Sequence, residues 1–233
     1  MTVLHEDDHI LVVNKPAGRL AQPDRTGDAS VLSLAKERRR RAGETDPFVG
    51  LVHRLDRPTS GLMVLARTSS SARHLAEQFR ERTVQKRYLA IVEGALRGIG
   101  TWRDYVAKPG RRPRIVSPEH TDGRPAVLEW QALARAEQTT LLQVELRTGR
   151  PHQIRLQAAE RSVPVVGDAR YGATEDGPPG GIALHHAVLR IDHPATSRRA
   201  TFVAEVPSDW APLLDDDMRT AIERMLSQAQ PHA

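Results

Sequence analysis

The chain has no cysteine, which excludes a disulfide framework, thiolate zinc sites and cysteine nucleophiles together and leaves stability to packing. No apolar stretch approaches the length needed to cross a bilayer, and the opening MTVLHEDDHILVVNKP carries acidic residues where a leader carries basic ones. The expectation is a cytoplasmic protein without membrane contact. There is no Gly-rich loop for a nucleotide phosphate and no visible internal repeat. His152, His185, His186 and His193 have no carboxylate or cysteine spacing that completes a ligand set, so neither metal nor cofactor is expected. Lysine is scarce: 30 of the 34 basic residues are arginine, whose planar fork grips phosphate oxygens in pairs and stacks on bases. A GC-rich genome gives the same bias.

What is present suits one globular unit. The 233 residues suffice for a single substantial core, and 39% hydrophobic with 27% charged residues is an ordinary soluble composition. A net charge of +5 favours a polyanionic partner through phosphate attraction and counterion release. The patterning predicts strands over residues 3–5 and 9–14 and a helix over VLSLAKERRRR capped by Ser30, whose four closing arginines serve either as a solvated helix end or as an RNA contact. A second helix is expected from Ser69 over SSARHLAEQFRER, then a strand in VQKRYLAIVEG. Further strands are expected in TWRDYVAK, AVLEWQALARAE and TTLLQVELRT, the last two a hairpin turning near Gln138, with a basic loop from Pro109 to Arg124 before them. Gly149-Arg150-Pro151 is expected to open a helix continued by HQIRLQAAER. Strands follow over 163–166, in GIALHHAVLRI and in ATFVAEV, and a last helix from Ser208 to about 228. Strands outnumber scattered helices, which indicates an α+β fold with a mixed, largely antiparallel central sheet and flanking helices.

The loop between two apolar runs in VGLVHRLDRPTSGLMVLAR holds Asp56 among His53, Arg54 and Arg57. A carboxylate among cations is held ionised, as a nucleophile or electrostatic stabiliser requires. A structural salt bridge has the same local sequence.

The segments VVNKPAG, HRLDRPTSG, QKRYLAIVEG, TGRPHQIR, VVGDARYG and LHHAVLRIDHP together resemble, in order and spacing, the RluA-type RNA pseudouridine synthases, over about residues 3–207. The resemblance implies a single pseudouridine-synthase-like catalytic domain over 1–233, without an S4 module. It implies Asp56 as catalytic aspartate on a uridine flipped out of rRNA or tRNA, and Arg155 as its guanidinium partner, for which paired hydrogen bonds to the carboxylate are expected. It implies Tyr88 as a ring stacked on the uracil with a part in proton transfer, and Arg54 as the side chain filling the space the base leaves. Tyr88 as a core residue and Arg54 as a second salt bridge to Asp56 are the structural alternatives. His53, Arg57, Lys15, His152 and Gln153 are expected beside the RNA, Lys15 alternatively as a turn lysine bonded to backbone carbonyls. Pro151 and Gln157 depart from the usual family motif, Gln157 standing where a histidine is common. No protein partner is called for, and a monomer suffices. A non-catalytic RNA-binding or ribosome-assembly factor on the same fold is the competing reading. A carboxylate-pair glycoside hydrolase would need a second acid facing the cleft.

Overall fold

A computed structural model describes residues 1–108, 110 and 112–230. Its frame is one eleven-stranded sheet. The strands are β1 (Thr2–Glu6), β2 (Ile10–Lys15), β3 (Gly50–Leu51), β4 (Ser60–Ala66), β5 (Gln85–Glu93), β6 (Ile99–Ala107), β7 (Arg114–Val116), β8 (Arg124–Arg135), β9 (Thr139–Leu146), β10 (Leu184–Asp192) and β11 (Arg199–Val203). They run in the order β1-β2-β4-β10-β5-β9-β8-β6-β7, with β3 on β4 and β11 on β10. Among the described residues every pairing is antiparallel except that of β4 with β10, where Ser60 faces His185 and Gly61 faces His186. The sheet is therefore mixed and largely antiparallel, as expected.

Helices α1 (Val31–Arg41), α2 (Ser69–Glu81), α3 (Gln153–Glu160) and α4 (Asp216–Ala229) flank it. Local chemistry fixes the ends of the first two. Ser30 and Ser33 cap α1 reciprocally, and the Thr68 hydroxyl accepts from the Ser71 N–H at the start of α2. All seven residues of β4 are buried. They alternate between two cores: Met63 and Leu65 face the one that takes in Val31 and Ala35 of α1, and Leu62, Val64 and Ala66 face the one that takes in Leu75 of α2. A strand covered on both faces has to be apolar throughout, which is how SGLMVLA reads.

Four expectations are corrected. The span 163–166 is no strand: Val165 makes a single bridge to Val92, because Pro164 has no N–H to donate and Gly167 turns the chain at φ 82°. The C-terminal helix does not start at Ser208: a 3-10 turn over Ser208–Leu213 contains Pro212, and α4 begins only after Asp215, whose carboxylate caps it. Within the expected basic loop, Arg114–Val116 forms the short edge strand β7, paired with β6, while Pro109 and Arg111 lie outside the described residues. Finally, α3 starts at Gln153 and not at the Gly-Arg-Pro turn, since His152 takes a left-handed conformation (φ 54°). No side chain caps the helix; that of Gln153 instead holds the preceding turn, its Oε1 accepting from the Thr148 hydroxyl (2.8 Å) and the Arg150 N–H (2.9 Å).

Candidate active site

The HRLD loop leaves β3, crosses the middle of the sheet and returns into β4, bordering a cleft of about 450 Å³. The cleft is also lined by the end of α2, by Lys86 and Tyr88 of β5, by residues 148–150 and by the start of α3. Three contacts hold the loop from behind. Lys15, fully buried at the end of β2, donates to the carbonyls of Pro16 (3.1 Å), Arg19 (2.8 Å) and Arg57 (3.1 Å). The Gly18 N–H reaches the Arg57 carbonyl at 2.9 Å, and the Ile182 N–H reaches that of Pro58 at 3.2 Å. Burial pushes the Lys15 amine down to about 7, with the charge of Asp56 opposing. Lys15 is thus the turn lysine of the structural alternative, pinning the HRLD loop and closed to solvent.

One wall of the cleft is ionic. The Arg155 Nη1 donates to Asp56 Oδ2 at 3.1 Å, while Nε and Nη2 form the paired bonds to Asp168, at 2.6 and 2.9 Å. The expected fork on Asp56 is therefore spent on Asp168, and Asp56 receives the remaining nitrogen. Burial opposes the charge on Arg155, but the bonds and charge of Asp168, joined by those of Asp56, outweigh it and hold its pKa above the ordinary value. Side-chain exposure assigns the order of access: 22% for Asp56, 4% for Arg155 and 2% for Asp168. Of these three, Asp56 is the group that can meet a substrate. His152 closes the wall. Its Nδ1 accepts from Arg155 Nη1 (3.3 Å) and lies 2.8 Å from the Tyr171 hydroxyl, so the neutral ring carries its proton on Nε2, 3.8 Å from Asp56 Oδ1. Burial also lowers the His152 pKa, with Asp56 opposing. The Tyr171 ring packs under the Arg155 guanidinium at 4.9 Å.

A second wall is aromatic. Tyr88 stacks on His186 (4.5 Å between centroids, 14° between planes), His186 meets His53 edge-on at 6.2 Å, and His53 stacks on Phe79 at 4.7 Å. Burial, reinforced by the charge of Asp56, raises the Tyr88 phenol and keeps it protonated. The His53 Nε2 accepts the Val64 N–H at 3.0 Å, and burial with the nearby charge of Lys86 pushes its pKa down to about 3. His186 approaches Leu62 O through Nδ1 at 2.7 Å and is driven well below its ordinary value by burial first. Among the described residues its buried Nε2 has no partner.

The three cations expected around Asp56 are therefore differently employed. His53 is a neutral wall residue. Arg57 turns away to Gly18 O (3.0 Å) and Asp28 (2.7 Å). Arg54 borders the cleft, exposed, and makes no ion pair with Asp56 among the described residues. Gln153 is buried and saturated, its Nε2 donating to Gln157 Oε1 (3.1 Å), so it shapes the site from within. Gln157 in turn donates to Asp104 (2.6 Å) and to the Ala126 carbonyl (3.2 Å), and so supplies the polarity that the missing histidine put in question. Asp168 and His186 were missed as site residues. The VVGDARYG and LHHAVLRIDHP segments signal Asp168 and His186 only as parts of motifs, without a role for either side chain.

Asp56 is the one carboxylate lining the cleft among the described residues, against six basic side chains. A second acid for glycoside hydrolysis is lacking there. Three of the arginines that close α1 pair internally, Arg38 with Glu6, Arg39 with Glu44 and Arg41 with Glu37, which fits a solvated helix end.

The family described as RNA pseudouridylate synthase matches residues 9–160. The ribosomal large subunit pseudouridine synthase D of Xylella fastidiosa is 37% identical over 227 residues, covering 92% of this chain and 68% of that protein. The protein of the same description from Xanthomonas campestris is 37% identical over 238 residues, covering 95% of this chain and 72% of that protein. Among solved structures, the human RNA pseudouridylate synthase domain containing 4 superposes with a TM-score of 0.74 at 22% identity, covering 95% of this chain and 93% of that one, a likeness of fold.

Proposed function

The chain belongs to the RNA pseudouridylate synthase family and is an RNA pseudouridine synthase, an isomerase; from that premise we propose that Asp56 is its nucleophile, acting on a uridine flipped out of large-subunit ribosomal RNA. The observation that carries this reading is a solvent-reachable carboxylate, alone of its charge in the cleft, held by a guanidinium that a buried second carboxylate immobilises.

Isomerisation breaks the N1–C1′ bond, turns the uracil and rejoins it through C5, so the base has to leave the stack and both fragments must stay oriented in a dry pocket. The aromatic wall supports this. With His186 behind it, the Tyr88 ring is stiffened for stacking on the uracil, and its protonated phenol beside Asp56 is a group that can hold or pass a proton. Arg155 fixes Asp56 Oδ2 and His152 faces Oδ1, so the carboxylate presents one orientation to the nucleoside. Whether Asp56 attacks C1′, attacks C6 or takes the C2′ proton, each route needs an ionised carboxylate held in a fixed position. Arg54, exposed at the edge of the cleft, is suited to fill the gap left in the RNA stack. The ribosomal substrate is supported by the names of the two relatives at 37% identity.

The test is pseudouridine mapping on total RNA from cells lacking the protein, complemented with the intact gene or with Asp56→Asn. Sites in large-subunit RNA restored by the intact gene alone support the proposal. Restoration by Asp56→Asn refutes the nucleophile, and RNA affinity without any isomerisation leaves a non-catalytic binding factor.

A further inference from the structure

Six basic side chains border the cleft, and Arg155 alone is committed to carboxylates inside it. Of the rest, Arg80 pairs with Glu77 at 2.9 Å and approaches Glu81 at 3.9 Å. Arg82, Lys86 and Arg150 lie together on the wall made by the end of α2, the start of β5 and the turn before α3, and none of them has an ion pair among the described residues. The Lys86 amine is the most telling. It is half-buried, and its Nζ lies 5.9 Å from the centroid of the Phe79 ring. Across from it stands Gly149, where a Cβ would come 3.9 Å from Nζ, so the glycine leaves the ammonium uncovered.

Arg150 is anchored through its side chain and Arg82 through its backbone. Arg150 donates its Nε to the Pro125 carbonyl (2.9 Å) and its backbone N–H to Gln153 Oε1 (2.9 Å), which orients the guanidinium while leaving its terminal nitrogens unspent. Arg82 takes the left-handed conformation (φ 62°) that ends α2, its N–H closing on Gln78 O. Burial, and then the charge of Arg82, lower the pKa of Lys86; burial, Arg82 and Arg124 lower that of Arg150. Like charges kept together and partly desolvated cost free energy unless an anion from outside completes them.

We propose that Arg82, Lys86 and Arg150 form a phosphate-binding site at the mouth of the cleft, taking a backbone phosphate adjacent to the target uridine. This rests on the reading that an RNA uridine enters the cleft: the nucleoside inside must be joined to phosphates at its rim, and an ammonium with two guanidiniums more than neutralises the single charge of one phosphodiester and offers donors for both of its free oxygens. The site fixes the depth and direction of entry of the strand, independently of the chemistry at Asp56.

The test measures binding of an unmodified large-subunit rRNA transcript at several salt concentrations, on an Asp56→Asn background so that no turnover intervenes. Lys86→Met is expected to weaken binding about 10-fold near 0.1 M salt and to lower the slope of log affinity against log salt, by at most the roughly 0.7 to 0.9 of one phosphate contact because Arg82 and Arg150 remain. Arg150→Gln should act in the same direction, and Lys86→Arg should keep the slope. Denaturation adds a readout that a merely structural lysine would move the other way: Lys86→Met should unfold at the same or a higher denaturant concentration. Unchanged affinity and slope in Lys86→Met, or no RNA binding at all, overturns the site. Isomerisation by the wild-type sequence separates the two claims. If it proceeds while Lys86→Met binds normally, the phosphate site falls and the function stands; if the slope drops while no uridine is ever isomerised, the reverse holds.

Discussion

Replacing Asp168 by asparagine isolates what the buried carboxylate contributes. The shape is kept, but one oxygen becomes an NH₂ that faces a guanidinium nitrogen, so one of the bonds at 2.6 and 2.9 Å is lost and two donors are opposed. A charge-assisted bond is worth about 1.5–3 kcal/mol, and removing one partner of a buried ion pair costs about 3–5 kcal/mol, so a loss near 3 kcal/mol of folding stability is expected. Asp56 remains as Arg155's carboxylate partner, and the guanidinium is expected to shift towards it. A displacement of about 1 Å at a positioning group costs on the order of 100-fold in rate. Because Asp168 is only 2% exposed and cannot touch RNA, affinity should stay within about threefold of wild type, a difference under 1 kcal/mol. Single-turnover pseudouridine formation, RNA binding and urea denaturation on one preparation read the three quantities. A folded Asp168→Asn protein that turns over within about threefold of wild type refutes the reasoning, since a 100-fold loss corresponds to about 2.7 kcal/mol of transition-state stabilisation.

Gly61→Ala should be poorly folded: a Cβ there meets the His186 N and O at 2.4 Å and the backbone sits at φ +116°, together costing about 3 kcal/mol or more by denaturation. His185 is buried, near Ser60 and the Ala204 carbonyl, and burial holds its pKa down to about 4. The unfolded chain therefore binds a proton that the native state does not between pH 6.5 and 4, so stability present above 6.5 is lost as the pH falls through that window. Between pH 7 and 4.5 the loss from this residue is about 2–3 kcal/mol, and His185→Gln should flatten the dependence. Gln157→Leu removes the bonds to Asp104 and Ala126 and strands the Gln153 amide; a loss of about 2–3 kcal/mol with RNA affinity unchanged is expected in parallel denaturation and binding measurements.

What could be read from the sequence was whatever is decided within a few residues. Ser30 with Ser33 and Thr68 with Ser71 mark helix starts through local capping bonds, so α1 and α2 were legible almost to the residue. The hairpin of β8 and β9 turns where it was expected, since adjacent strands joined by a short turn leave little choice. The approach of Arg155 to Asp56, 99 residues apart, came only from the family resemblance. Its paired bonds to Asp168 came from neither: periodicity says nothing of where a carboxylate 13 residues along will point. His152 shows the same limit at short range. A proline in the preceding position suggested an early helix start, and the left-handed turn that aims the imidazole at Asp56 is set by Gln153 bonding back to Thr148 and Arg150. Lys15 follows a run of apolar residues, and only the carbonyls that converge on it in three dimensions explain its burial.

The place of β10 in the sheet governs how the molecule comes into being. Residues 2–66 supply β1, β2 and β4, and residues 85–146 supply β5 through β9, yet the two groups join only through a strand that begins at Leu184. Until that strand is synthesised, β4 and β5 each present an open, apolar edge, the kind of surface that chaperones cover and aggregation exploits. Asp56 belongs to the first group and Tyr88 to the second. Ser60 and His185, 125 residues apart, are among the contacts that draw them together, so loop closure over most of the chain precedes any competent enzyme. A nascent chain thus carries Asp56, Tyr88 and Arg155 before the strand that brings them into one cleft has been made.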